Sequence, residues 1–137
     1  MHMRAALTLL VFLCIISCKP TATEPDYASI LDGQYKISRY EYPALGYPPG
    51  YKFTYDTTVT LRLKRVDKNN LDARFTYDET KDWLRYNAYN GTWSISHVDD
   101  LRIGLVCGSM GYTYSNKQID IVVSENGPYV SLRKIGE

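Results

Sequence analysis

From Tyr51 onward apolar and polar residues alternate, with Tyr51, Phe53, Tyr55, Thr57, Val59, Leu61 and Leu63 at odd positions and Lys52, Thr54, Asp56, Thr58, Thr60, Arg62 and Lys64 at even ones. A period of two marks a half-buried strand and leaves no helix to compete. At ~3.3 Å per residue a single strand of that length overruns a small domain, so a break is expected near Asp56 and Thr57. Before this run, Gln34 to Tyr42 reads as a strand with Tyr35 and Ile37 on one face; Arg39 shares that face, so it is either a buried charge in need of a partner or a strand-end residue turned to solvent. Between them lie Pro43, Pro48 and Pro49, which no central strand tolerates, in a loop flanked by Tyr42, Tyr47 and Tyr51.

The rest of the chain keeps the same period. Asp67 to Asn70 is a turn, followed by Ala73, Phe75 and Tyr77 on one face. Two Asn-Gly pairs predict two-residue hairpins and so fix register. Around Asn90-Gly91, Ala88 faces Trp93, Tyr86 faces Ile95 and Leu84 faces His97. Around Asn126-Gly127, Val123 faces Val130, Ile121 faces Leu132 and Asp120 faces Arg133. Leu101, Ile103, Leu105 and Cys107 alternate with polar or small neighbours, and Gly108 to Asn116 reads as a Gly-rich connection carrying Tyr112 and Tyr114. The expected strands are 34–42, 57–66, 71–79, 83–89, 92–97, 101–107, 117–125 and 128–135. Eight short antiparallel strands in an up-and-down meander hide their edges best by closing into a barrel, with a two-sheet β-sandwich as the alternative.

The first residues have another character. Arg4 precedes an uncharged, mostly apolar run from Ala5 to Ile16, the size of a signal-peptide core and too short to span a bilayer. Ile15-Ile16-Ser17-Cys18 resembles the lipobox of bacterial lipoproteins. That resemblance implies cleavage after Ser17, lipidation of Cys18, and a membrane-anchored protein of the cell envelope. Lys19 stands where an Asp would signal retention at the inner membrane, so the outer membrane is the expected address. Residues 1–17 are then the signal, 18–29 a polar tether and 30–137 one β-barrel domain, with order beginning near Ile30.

Within the domain, Leu31-Asp-Gly-Gln-Tyr-Lys-Ile37 resembles the opening strand of lipocalin-like (calycin-type) bacterial lipoproteins, and Gly91-Thr-Trp-Ser-Ile95 a strand they carry midway. The resemblance implies a small barrel with an interior or a mouth suited to a ligand.

Composition narrows the chemistry. Loss of Arg4 leaves 15 basic against 15 acidic groups, which offers nucleic acid no electrostatic footprint. With Cys14 removed and Cys18 lipidated, Cys107 is the remaining thiol, so no intrachain disulfide is expected and the core alone must hold the fold. His97 is the sole histidine after cleavage, and no metal site or cofactor is expected. His97, Asp99, Asp100 and Ser109 superficially suggest a triad, but the G-x-S-x-G elbow is missing and catalysis is not expected.

The aromatics are the remaining candidates, thirteen tyrosines and two tryptophans. Two readings follow. A small apolar or aromatic ligand would sit in the barrel among Tyr35, Phe75, Tyr86 and Trp93. Alternatively, an interaction module, an inhibitor or envelope-complex subunit, would use Tyr42, Tyr47, Tyr51, Tyr112 and Tyr114 at one barrel end. Either way a monomer is expected, and interior volume decides, since an eight-stranded barrel has room for its own side chains or one small ligand.

Overall fold

The computed structural model describes residues 23–41, 56–81, 85–122 and 129–136. A short helix α1 (Tyr27–Leu31) is followed by β1 (Gly33–Glu41), β2 (Thr60–Arg65) and β3 (Asn70–Thr76). A 3-10 turn (Tyr86–Tyr89) then leads into β4 (Gly91–Val98), β5 (Ile103–Cys107), β6 (Met110–Ser115), β7 (Gln118–Val122) and β8 (Tyr129–Ile135). Each strand pairs antiparallel with the next, and β8 returns to pair with β1, so the sheet is a closed barrel. The expected eight-stranded up-and-down barrel is therefore correct, and the sandwich is not the architecture.

The alternation puts the apolar set inside. Tyr35, Leu61, Leu63, Leu71, Trp93, Leu105, Ile119, Ile121, Val130 and Leu132 are fully buried. The expected break in the long alternating run falls at a turn over Thr57 and Thr58, and β2 starts at Thr60. Asp67 makes the β2–β3 turn, its carboxylate accepting from the Asn69 amide at 2.8 Å and from the Asn70 side chain.

Two segments exchange roles relative to the sequence reading. Of the strand expected over 83–89, the described residues 85–89 are not a strand: Tyr86 and Tyr89 stand three apart, share one side of a 3-10 turn, and are both buried, whereas a strand would turn them to opposite faces. Asn90 and Gly91 make no hairpin. The Asn90 side chain accepts from the Phe75 amide at 2.7 Å, Gly91 takes φ +128°, and Trp93 faces Leu71 instead of Ala88. Conversely, the connection expected over 108–116 contains β6, joined to β5 by the Gly108-Ser109 turn and to β7 by Asn116-Lys117, both at positive φ. Both are two-residue hairpin turns.

Register also moves at the last hairpin. Ile121 faces Val130, Ile119 faces Leu132 and Asp120 faces Ser131, a slip of two residues that keeps the apolar face inward but removes the Asp120–Arg133 pair. Val123 and Leu84 lie outside the described residues. Arg39 is not buried, because a bulge after Ile37 flips it outward over the Tyr129 ring, 5.7 Å from its centroid. A second bulge after Ile95 turns His97 to solvent, and Gly104 faces it where a Cβ would sit 2.9 Å from Ser96 Oγ. Leu101 lies in the β4–β5 turn, since β5 begins at Ile103.

The two ends of the barrel differ. At one end, the base, lie α1 and the turns β2–β3, β4–β5 and β6–β7. Five residues cannot hold a helix unaided; α1 persists because Ala28 and Leu31 are fully buried and Asp26 caps its start by accepting from the Ser29 amide. The helix begins at Tyr27, three residues ahead of the expected onset of order. At the opposite, far end β1, β3 and β7 finish, β2, β4 and β8 begin, and the Gly108-Ser109 turn joins β5 to β6.

Candidate functional site

The inward face of β3, β4 and β6 and the 3-10 turn bring five aromatics together towards the far end. Phe75 stacks on Tyr86 at 5.2 Å and 24°, and its ring is 6.2 Å from Trp93 and 6.3 Å from Tyr89. Trp93 packs on Tyr112 at 4.4 Å, while Tyr89 meets Tyr112 edge-on at 6.1 Å. Tyr77 closes the rim, edge-on to Tyr86 at 5.0 Å, and its hydroxyl donates to Glu79 at 3.2 Å. Such offset and tilted contacts each add ~0.5–1.5 kcal/mol beyond burial.

Polar atoms inside this cluster are treated unequally. The Trp93 indole N–H donates to the Tyr89 carbonyl at 2.8 Å, which ties β4 to the 3-10 turn. The Tyr112 hydroxyl is buried and has no hydrogen-bond partner. Burial pushes its pKa up, with smaller contributions from the Cys107 thiol and the Tyr89 hydroxyl nearby, and burial raises Tyr89 as well. Both phenols are therefore neutral near pH 7, and Tyr112 is a donor held without an acceptor. A buried group in that state costs ~1–3 kcal/mol.

A carboxylate organises the backbone above the cluster. Asp56 is buried; one oxygen accepts from the Thr58 amide at 2.8 Å and hydroxyl at 2.6 Å, the other from the Asp78 amide at 2.8 Å. These bonds, those from Thr58 first, hold its pKa below the usual carboxylate range despite burial. Asp56 thereby latches the β1–β2 connection to the β3–β4 connection.

The structure thus gathers Phe75, Tyr86, Trp93 and Tyr112 and separates the other described candidates from them. Tyr35 stands at the base, where its hydroxyl donates to the Leu31 carbonyl at 2.7 Å. Tyr114 points inward on β6 opposite Ile103 and, with Tyr27, Ile30 and Leu101, lines a cleft of about 220 Å³ at the base. Neither Tyr112 nor Tyr114 lies in a loop. Tyr42, Tyr47, Tyr51 and Cys18 lie outside the described residues. Sequence reasoning left out Tyr89, which its three-residue spacing from Tyr86 would have revealed.

The candidates for catalysis are scattered. His97 is exposed, with Nε2 3.4 Å from Asp99, at the base, whereas Ser109 sits in the β5–β6 turn at the far end. Cys107 is partly buried at the upper end of β5 with a free thiol. Among the described residues no three His, Cys, Asp or Glu side chains converge as metal ligands. No family model, no curated protein and no solved structure matches this chain.

Proposed function

We propose that the chain is a lipid-anchored protein of the bacterial outer membrane whose barrel binds a small apolar or aromatic ligand, without catalysis, at the aromatic cluster. The observation that carries this reading is the Tyr112 hydroxyl, a neutral donor buried among aromatic rings with nothing to bond. A flat ligand carrying one acceptor would supply the missing bond while its rings join the stack. Anchorage rests on the short apolar segment ending in Ser17-Cys18.

The test uses Trp93 as reporter, since it touches Tyr112. A naphthyl ketone should change tryptophan fluorescence saturably and bind tighter than naphthalene by about fivefold to tenfold, the worth of one hydrogen bond at ~1 kcal/mol. Tyr112→Phe should abolish that preference while naphthalene binding persists. Equal, non-saturating response to both probes would refute the site. Replacing Cys18 with Ser should release the protein from membranes or leave it unprocessed; a variant processed and membrane-bound like the parent would refute the anchor.

The second reading, an interaction module using Tyr42, Tyr47 and Tyr51 on a filled barrel, is favoured by one observation: Phe75 and Tyr86 already stack on each other, so interior volume is spent on side chains. A Tyr47→Ala variant that keeps full stability but loses an envelope partner retained by the parent would support it.

A further inference from the structure

Singly exposed apolar side chains are ordinary on a soluble protein, but their distribution here is not. Among the described residues the exposed large hydrophobics are Ile30, Val66 and Leu101, at 47%, 60% and 82% exposure. All three lie at the base: Ile30 on α1, Val66 just after β2, Leu101 in the β4–β5 turn. Ile30 and Leu101 share the lip of one cleft with Tyr27 and Arg102. The neighbouring charges largely cancel. Lys68 pairs with Glu24, Arg65 with Asp26, Arg62 with Asp32 and Arg102 with Asp99, so the face is studded with apolar tips and has little net charge.

The N-terminal segment ends on this same face. Glu24 and Asp26 hold it against the β2–β3 turn and the end of β2, which places Thr23 at the base. Cys18 is five residues further, a reach of at most ~18 Å for extended chain. A cysteine acylated there would hold the base close to the headgroups.

We infer that the base of the barrel rests on a phospholipid bilayer, with Ile30, Leu101 and Val66 immersed at the acyl boundary and Tyr27 at headgroup depth. This rests on the lipid anchor proposed above. Apolar tips gain by leaving water, and tyrosine favours the interface. Because four base cations sit in ion pairs and Asp67 and Asp100 balance Lys117 and Lys134 on the same end, docking depends little on anionic lipid. The far end, with its aromatic cluster, then faces away from the membrane.

The experiment takes the full mature, lipidated protein in vesicles of phosphatidylethanolamine and phosphatidylglycerol. Nitroxide labels are placed by Ile30→Cys, Val66→Cys, Leu101→Cys and, as the far-end control, Ser109→Cys, each in a Cys107→Ser background. Labels at 30, 66 and 101 should show oxygen accessibility over a water-soluble nickel chelate severalfold higher than at 109, and phosphatidylcholine vesicles should give the same ranking. Vesicle-bound protein whose labels at 30 and 101 are as open to nickel as that at 109 would overturn the docked base and leave the anchor standing. Protein that fails to float with vesicles would overturn the anchor and the docking together. Leu101→Trp and Ser109→Trp, in chains keeping Cys107 and read by quenching from brominated phosphatidylcholine, repeat the comparison without that background change; quenching no stronger at 101 than at 109 would overturn the docked base.

Discussion

Two inward-facing tyrosines measure the difference between the barrel's ends. Tyr35 at the base donates to the Leu31 carbonyl at 2.7 Å and so bolts α1 onto the sheet. Tyr112, towards the other end, is equally enclosed but its hydroxyl bonds to nothing. The base is finished: its helix, core and hydrogen bonds agree with one another. The far end keeps the Tyr112 hydroxyl unsatisfied amid a packed aromatic cluster, the kind of local cost that stability alone does not explain.

The strongest way to break this contrast is to open the base. Leu31 is fully buried at the end of α1. Leu31→Ala should cost ~2–5 kcal/mol, because a five-residue helix has no independent stability with which to fill the cavity. Urea unfolding measures it. A loss under ~1 kcal/mol would show that α1 merely lies on the barrel.

Asp56 tests the latch at the other end. In Asp56→Asn the Oδ1 contacts from Thr58 can persist, but the amide nitrogen would face the Asp78 N–H, donor against donor. At pH 7 the variant should lose ~1–3 kcal/mol. The sign with pH follows from the depressed pKa of Asp56. Its contribution is present above the unfolded carboxylate value, about 4, and fades as pH falls through the lower folded value. Parent and variant should therefore converge in thermal stability in acid; a gap constant from pH 7 to pH 2 would show that the carboxylate charge contributes nothing.

The tyrosine pair itself comes next. Tyr35→Phe strands the Leu31 carbonyl and should cost ~1–2 kcal/mol, whereas Tyr112→Phe removes an unsatisfied hydroxyl and should be neutral or stabilising. If both cost the same, the contrast between the ends fails.

What the sequence disclosed follows from where local pattern and tertiary packing agree. Leu61 and Leu63, or Ile119 and Ile121, alternate with polar neighbours and could face only one way, so the closed meander was legible, while the count of eight held because the strand lost before Asn90 is offset by the unexpected β6. Asn90-Gly91 misled because hairpin chemistry is a local preference, and the packing of Tyr86 and Tyr89 against Phe75 overrode it. Tyr112-Thr113-Tyr114 was legible in period but hidden in a Gly-rich setting. Bulges after Ile37 and Ile95 leave no mark in composition, so the outward turn of Arg39 could be posed only as one of two possibilities. Three of the five cluster aromatics were placed inside the barrel from sequence: Phe75 and Trp93 because they lie on regular strands, and Tyr86 although it lies on the turn that was mistaken for one, while Tyr89 on that same turn was left out and Tyr112 was assigned to a loop.

The smallest effect expected concerns the ion pairs at the base. Arg65 Nε lies 2.8 Å from Asp26, with side chains 41% and 37% exposed. Exposed pairs of this kind contribute ~0–1 kcal/mol and are screened by salt, so an Arg65→Met, Asp26→Asn cycle should give a coupling below ~1 kcal/mol. Asp26 also caps α1 through the Ser29 amide, and Asn keeps that capping ability, which isolates the charge from the cap. The base should therefore melt at nearly the same temperature in 0.05 M and 1 M salt, to within about 2 °C. A coupling larger than the loss from Leu31→Ala would reverse the account of this end. It would mean that the carboxylates of the N-terminal segment hold α1 in place, and that the burial of Leu31 follows from their grip instead of causing it.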